Sequence, residues 1–76
     1  MKRNKRATIY VYLLDDGTDA WRPVDAIHVG GDHYKITNPP IAGENWEFGP
    51  GSTVRCRKKV GADNAVFLAA FEKVPE

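Results

Sequence analysis

Apolar and polar positions alternate along most of this chain with the two-residue period of extended strands, and turn residues interrupt the alternation at short intervals. Over about residues 7–14, Ile9, Val11 and Leu13 fall on one face and Tyr10, Tyr12 and Leu14 on the other. Two apolar faces predict a central strand. A second strand, about residues 21–29, carries Pro23 near its beginning, where a missing N–H is tolerated. Gly30-Gly31-Asp32 then predicts a tight hairpin, since adjacent glycines supply the positive φ that such turns require. A short third strand covers residues 33–37. Asn38-Pro39-Pro40-Ile41-Ala42-Gly43 breaks regular structure, because two prolines remove donors and fix φ. Trp46 and Phe48, two apart, share a face and are expected to cap the open end of the core. After Gly49-Pro50-Gly51, a fourth strand over residues 52–60 sets Val54 and Cys56 on one face and Thr53, Arg55, Arg57 and Lys59 on the other. Residues 61–64 turn the chain a last time. Residues 65–74 read as a strand, although Phe67, Phe71 and Val74 also fit a helical stripe and the alanines favour helix.

Five short strands joined by tight turns and one long loop predict an all-β fold, a small five-stranded SH3-like barrel of meander topology. The alternatives are an OB-like barrel or a helical C-terminal element. Residues 7–74 would form this single domain, and residues 1–6 a disordered basic arm carrying Lys2, Arg3, Lys5 and Arg6.

Composition narrows the picture. Seventy-six residues allow one core, and 42% apolar with 28% charged residues is ordinary for a globular domain. One cysteine, Cys56, builds no disulfide framework, and no apolar run reaches the length of a leader or a membrane span. The expected location is the cytoplasm, with no membrane partner. The net charge of +1 conceals a segregated pattern: four cations and no acid in residues 1–14, then five acids against Arg22 alone in residues 15–32. Arg55, Arg57, Lys58 and Lys59 restore a basic segment later. Such a chain has two electrostatic faces.

The run Tyr10-Val11-Tyr12-Leu13-Leu14-Asp15-Asp16-Gly17-Thr18-Asp19-Ala20-Trp21-Arg22-Pro23-Val24, followed by Gly30-Gly31-Asp32 and by Pro50-Gly51-Ser52-Thr53-Val54-Arg55-Cys56, resembles a group of short bacterial proteins of unknown function. The resemblance covers about residues 9–57. It implies no activity, and it does not extend to the basic N-terminal segment.

Catalytic chemistry finds little support. Asp15, Asp16 and Asp19 crowd one turn but lack the spacing and the distal glutamate of a calcium loop, and aspartates commonly cap turn backbones. His28, His33 and Cys56 lack zinc-ligand spacing. Cys56, on an alternating strand, reads as a small core side chain. No nucleophile has an evident base, and the glycines lack the spacing of a phosphate loop. No metal or cofactor is expected, and the chain reads as a non-enzyme.

Two binding surfaces remain. Arg55, Arg57 and Lys59 project from one strand face, and with Lys2, Arg3, Lys5 and Arg6 they offer an anion or single-stranded nucleic-acid surface. A charged outer strand face is also routine protection against edge-to-edge aggregation. Tyr12, Trp21, Tyr34 and Trp46 are candidates for an aromatic groove that takes a protein partner, self or other. The competing reading is that both tryptophans plug the barrel ends.

Overall fold

The structure, a computed structural model, describes residues 5–14, 20–61 and 63–75. Five strands follow one another, β1 (Lys5–Tyr12), β2 (Trp21–Gly30), β3 (His33–Ile36), β4 (Thr53–Val60) and β5 (Val66–Lys73), and each is hydrogen-bonded to the next in a closed barrel. The order is that of a meander, with no strand out of sequence as a Greek key requires. Successive strands reverse direction, so the first and fifth of an odd-numbered meander run the same way. Closure is accordingly parallel, through Tyr10 opposite Ala69.

The last element is a strand. Its alanines favour a helix locally, but Val66 to Lys73 has a partner ladder waiting along the whole of β4, and pairing there buries Ala69 and Ala70. Tertiary pairing overrides a propensity of a few tenths of a kcal/mol per residue, about what separates most residue types.

Alternation fills the interior as expected. Ile9 and Val11 from β1, Val24 and Ala26 from β2, Ile36 from β3, Val54 and Cys56 from β4, and Ala70 from β5 all point inward and are buried. The Gly30-Gly31 turn has φ of 141° and 53°, the left-handed values for which glycine carries no steric cost.

The long loop closes one end of the barrel. Thr37 and Asn38 donate from their backbone N–H groups to the Asp25 carbonyl, and Asn38 Oδ1 accepts from Asp25 N at 3.2 Å. Further on, Leu14 N donates to Asn45 O and Glu47 N to Tyr12 O, so Trp46 is laid alongside Leu13 as a one-residue bridge. That places the Trp46 indole in the core, with Phe48 packed against it. The proline run thus serves as a strap that carries a plug.

Lys5 and Arg6 open β1, opposite His28 and Ile27, and do not belong to a disordered arm. Their exposed side chains read as solvated chain, yet strand pairing uses the backbone and leaves such heads in water. Lys2 and Arg3 lie outside the described residues, as does the acidic turn of Asp15, Asp16 and Asp19. Among the described residues, no helix is long and apolar enough to cross a membrane.

Candidate functional site

Because Ile9 and Val11 face inward, Tyr10 and Tyr12 stand on the outside of β1. The β1–β2 register sets Trp21 directly opposite Tyr12, on the same outer face. From the other flank, Phe67 of β5 reaches the same surface. The rings form a continuous chain: Tyr10 to Phe67 at 4.8 Å, Phe67 to Trp21 at 5.7 Å, and Trp21 to Tyr12 at 5.3 Å between centroids. Their edge-on and tilted geometries are those that aromatic quadrupoles prefer. Beneath them Ala69 is almost fully covered, although it belongs to no part of the inner cluster. The barrel therefore carries a second apolar layer on its outer wall.

Cations border that layer. Lys59 Nζ lies 5.8 Å from the Trp21 ring centroid, and the Arg57 guanidinium lies 4.6 Å from that of Phe71. The ladder skips one residue between Arg55–Glu72 and Cys56–Ala70, and the skipped residue is Phe71. This bulge turns both Phe71 and Glu72 outward, onto the face of Arg55 and Arg57.

Arg55 differs from the rest of the basic stripe. It donates through Nε to Asp32 Oδ2 at 3.1 Å and through Nη1 to Glu72 Oε1 at 2.8 Å, while its guanidinium rests 5.1 Å from the Phe71 ring centroid. The hydrogen bond to Asp32 first, and then that to Glu72, hold its proton even more firmly than usual. Its charge is answered within the protein. Arg57 and Lys59 are the members of the stripe that face the aromatic layer without a carboxylate partner among the described residues.

The four expected groove residues separate. Tyr12 and Trp21 lie together on the outer wall. Trp46 is buried, and its indole Nε1 donates to Glu44 Oε1 at 2.8 Å. Arg22 Nε, sealed from solvent, lies 3.3 Å from the same oxygen without the alignment of a hydrogen bond. Tyr34 packs against the core from the inner face and stacks on His28 at 4.7 Å, where His28 Nε2 donates to Gly31 O at 2.6 Å. Tyr34 and Trp46 therefore belong to the interior, because their strand parity matches that of Ile36 and the Leu13 bridge. Tyr10, Phe67 and Phe71 are members of the surface that sequence reasoning missed. Tyr10 was detectable from its alternation with Ile9 and Val11. Phe71 was not, since a bulge changes parity within a strand.

Cys56 is an interior side chain. Burial first, and Asp32 second, push its thiol up from about 9 to about 12, so it is neutral at physiological pH. Two outcomes are expected. Thiol reagents at pH 8 should label the native protein far more slowly than the protein in denaturant. An acid whose pKa is raised by folding ionises first in the unfolded chain, so stability is intact below about pH 9 and falls as pH climbs towards about 12. Cys56→Ala should flatten that part of the alkaline loss relative to wild type, whatever its effect at neutral pH. Rapid native labelling would contradict the inward facing of β4.

His28, His33 and Cys56 are not brought together, and among the described residues no cluster of three or more His, Cys, Asp and Glu side chains exists. An open groove of about 490 Å³ lies elsewhere on the wall, lined by Arg6, Thr8, Asp25 and Thr37 among others. It carries one cation, Arg6, one acid, Asp25, and two threonines, with Ala26 and Ile27 between them. The chain matches no protein-family model, no curated protein and no solved structure.

Proposed function

We propose that this protein is a small non-enzymatic interaction module that recognises another protein through the outer wall of β1, β2 and β5. One observation carries the reading: the rings of Tyr10, Phe67, Trp21 and Tyr12 are joined outside a barrel whose interior is already filled. Aromatic side chains concentrated on a rigid sheet and rimmed by cations are the usual composition of an interaction hot spot. The strands hold the rings in place, so little conformational freedom is lost on binding. A cytoplasmic home agrees with a single cysteine that is buried and free.

A second reading, weak single-stranded nucleic-acid binding, is favoured by the placement of Lys59 over Trp21 and Arg57 over Phe71. Cations next to rings can serve phosphates and stacked bases together. It is the lesser reading because Arg55 is already engaged by Asp32 and Glu72, and because the rings cover one another's faces edge-on. Panning a displayed peptide library against the wild type, with counter-selection on Trp21→Ser/Phe67→Ser, decides between them. Peptides that bind the wild type in 0.5 M salt, where the Debye length is only about 4 Å, and do not bind the double variant are expected. Failure to obtain any such peptide, together with oligo-dT binding that fades with salt, would replace the first reading by the second.

A further inference from the structure

The barrel is closed, yet β4 outruns its neighbour. β3 pairs only with Thr53, Val54 and Arg55, and the Cys56 N–H donates to the Asp32 carbonyl just before the chain turns away. Beyond Cys56, β4 has β5 on one flank through Val60, and among the described residues no strand on the other. Backbone groups of a strand point alternately to its two flanks. Since Cys56 points its N–H towards β3, Lys58 and Val60 do the same, and Arg57 and Lys59 turn theirs to β5. The Gly61 N–H, which donates to Ala65 O, keeps this parity to the end of the hairpin. The N–H and C=O groups of Lys58 and Val60 thus form a short open edge.

That edge adjoins the aromatic wall. Arg57 and Lys59 project onto the outer face beside Phe71 and Trp21, while Val60 and its cross-strand neighbour Val66 stand 62% and 60% exposed on the hairpin. We infer that β4 accepts an extended acidic peptide as an added strand, hydrogen-bonded to Lys58 and Val60, with alternate carboxylates on Arg57 and Lys59 and apolar residues beside Val60. The inference rests on the protein-recognition reading and names the partner's chemistry. Charge decides the occupant. A second copy of the chain would bring Arg57, Lys58 and Lys59 against their own kind, and like charges directly opposed across a ladder are destabilising. An acidic strand reverses the sign of the contacts at Arg57 and Lys59, and main-chain hydrogen bonds supply affinity as in other cases of strand addition.

The test uses the full chain, labelled for NMR, and three probes: an acetylated and amidated (Glu-Val)4 peptide, the same peptide N-methylated at alternate residues on its pairing edge, and an oligo-dT octamer. The expected result is that (Glu-Val)4 slows exchange of the Lys58 and Val60 amides at least tenfold and that the N-methylated peptide does not. Lys58→Pro should remove this protection while leaving the β4–β5 ladder intact, because the deleted N–H faces the open flank, where proline is tolerated. Should that variant fail to fold, the N-methylated peptide makes the same distinction on the wild type. Equal shifts from both peptides, centred on Trp21 and Phe67, would overturn strand addition and leave the aromatic wall as a protein site. No response to (Glu-Val)4, with shifts at Arg57 and Lys59 from oligo-dT, would overturn it in favour of a polyanion site.

Discussion

Replacing Trp46 by alanine should cost about 3–5 kcal/mol, the range for truncating a large aromatic residue in a core. A 76-residue domain has roughly 4 to 11 kcal/mol in all, at about 0.05–0.15 kcal/mol per residue, so the loss consumes much of the fold. Three contributions converge on this residue. The indole fills the open end of a barrel whose other fully buried side chains are no larger than isoleucine. Its N–H is bonded to Glu44, and Glu44 also lies 3.3 Å from Arg22 Nε, so the deletion takes from that carboxylate its one aligned donor. The strap from residue 37 to residue 52 also loses its anchor in the core. Urea denaturation should show the midpoint falling by about 1 M or more, given slopes near 1–3 kcal/mol per molar. Trp46→Phe, which keeps an apolar ring but no donor, should recover the larger part. A loss below about 1 kcal/mol for the alanine variant would mean that the loop does not plug the barrel.

The other tryptophan should behave in the opposite way. Trp21→Ala removes two aromatic contacts, each worth about 0.5–1.5 kcal/mol beyond its area, and leaves the inner core untouched. The variant should remain folded, with a stability loss of about 1–2 kcal/mol. Binding of the selected peptides should weaken by about thirtyfold or more, since a hot-spot residue is worth about 2 kcal/mol or more. Isothermal calorimetry at matched salt measures that ratio. Retained affinity, with the fold intact, would remove the aromatic wall from the function. Fluorescence supplies a check on the same assignment. In the Trp21→Phe variant the remaining indole is the buried one, and an exposed quencher should scarcely reach it; in Trp46→Phe the remaining indole lies on the surface and should be quenched readily.

These contrasting roles were only half legible in the sequence. The two tryptophans look alike as letters, each close to a turn and with an acid within two positions. Trp21 follows the parity of β2, where Val24 and Ala26 claim the interior, so its outward position could be worked out from the strand alone. Trp46 sits in a loop with no period of its own. Its placement depends on the backbone bonds to Tyr12 and Leu14, contacts more than thirty positions away in the chain. Tyr34 differs again: its residue type suggests an exposed ring, whereas its parity with Ile36 on β3 turns it inward.

What the sequence determined by itself is the first four strands, the Gly30-Gly31 turn and the inward facing of Val54 and Cys56, because each of these is a local property. Strand parity follows from the two-residue pleat, and the Gly30-Gly31 turn follows from the φ values those residues alone adopt without strain. Tertiary structure decided the rest. It chose strand over helix for β5, because the neighbouring ladder of β4 outweighs the helical preference of alanine. It neutralised Arg55 with two acids drawn from distant turns and strands, separating it from Arg57 and Lys59. It joined residues from β1, β2 and β5 into one ring cluster, which only the closure of Tyr10 on Ala69 makes possible. Closure and register are relations between segments far apart in the chain, and no single segment contains them.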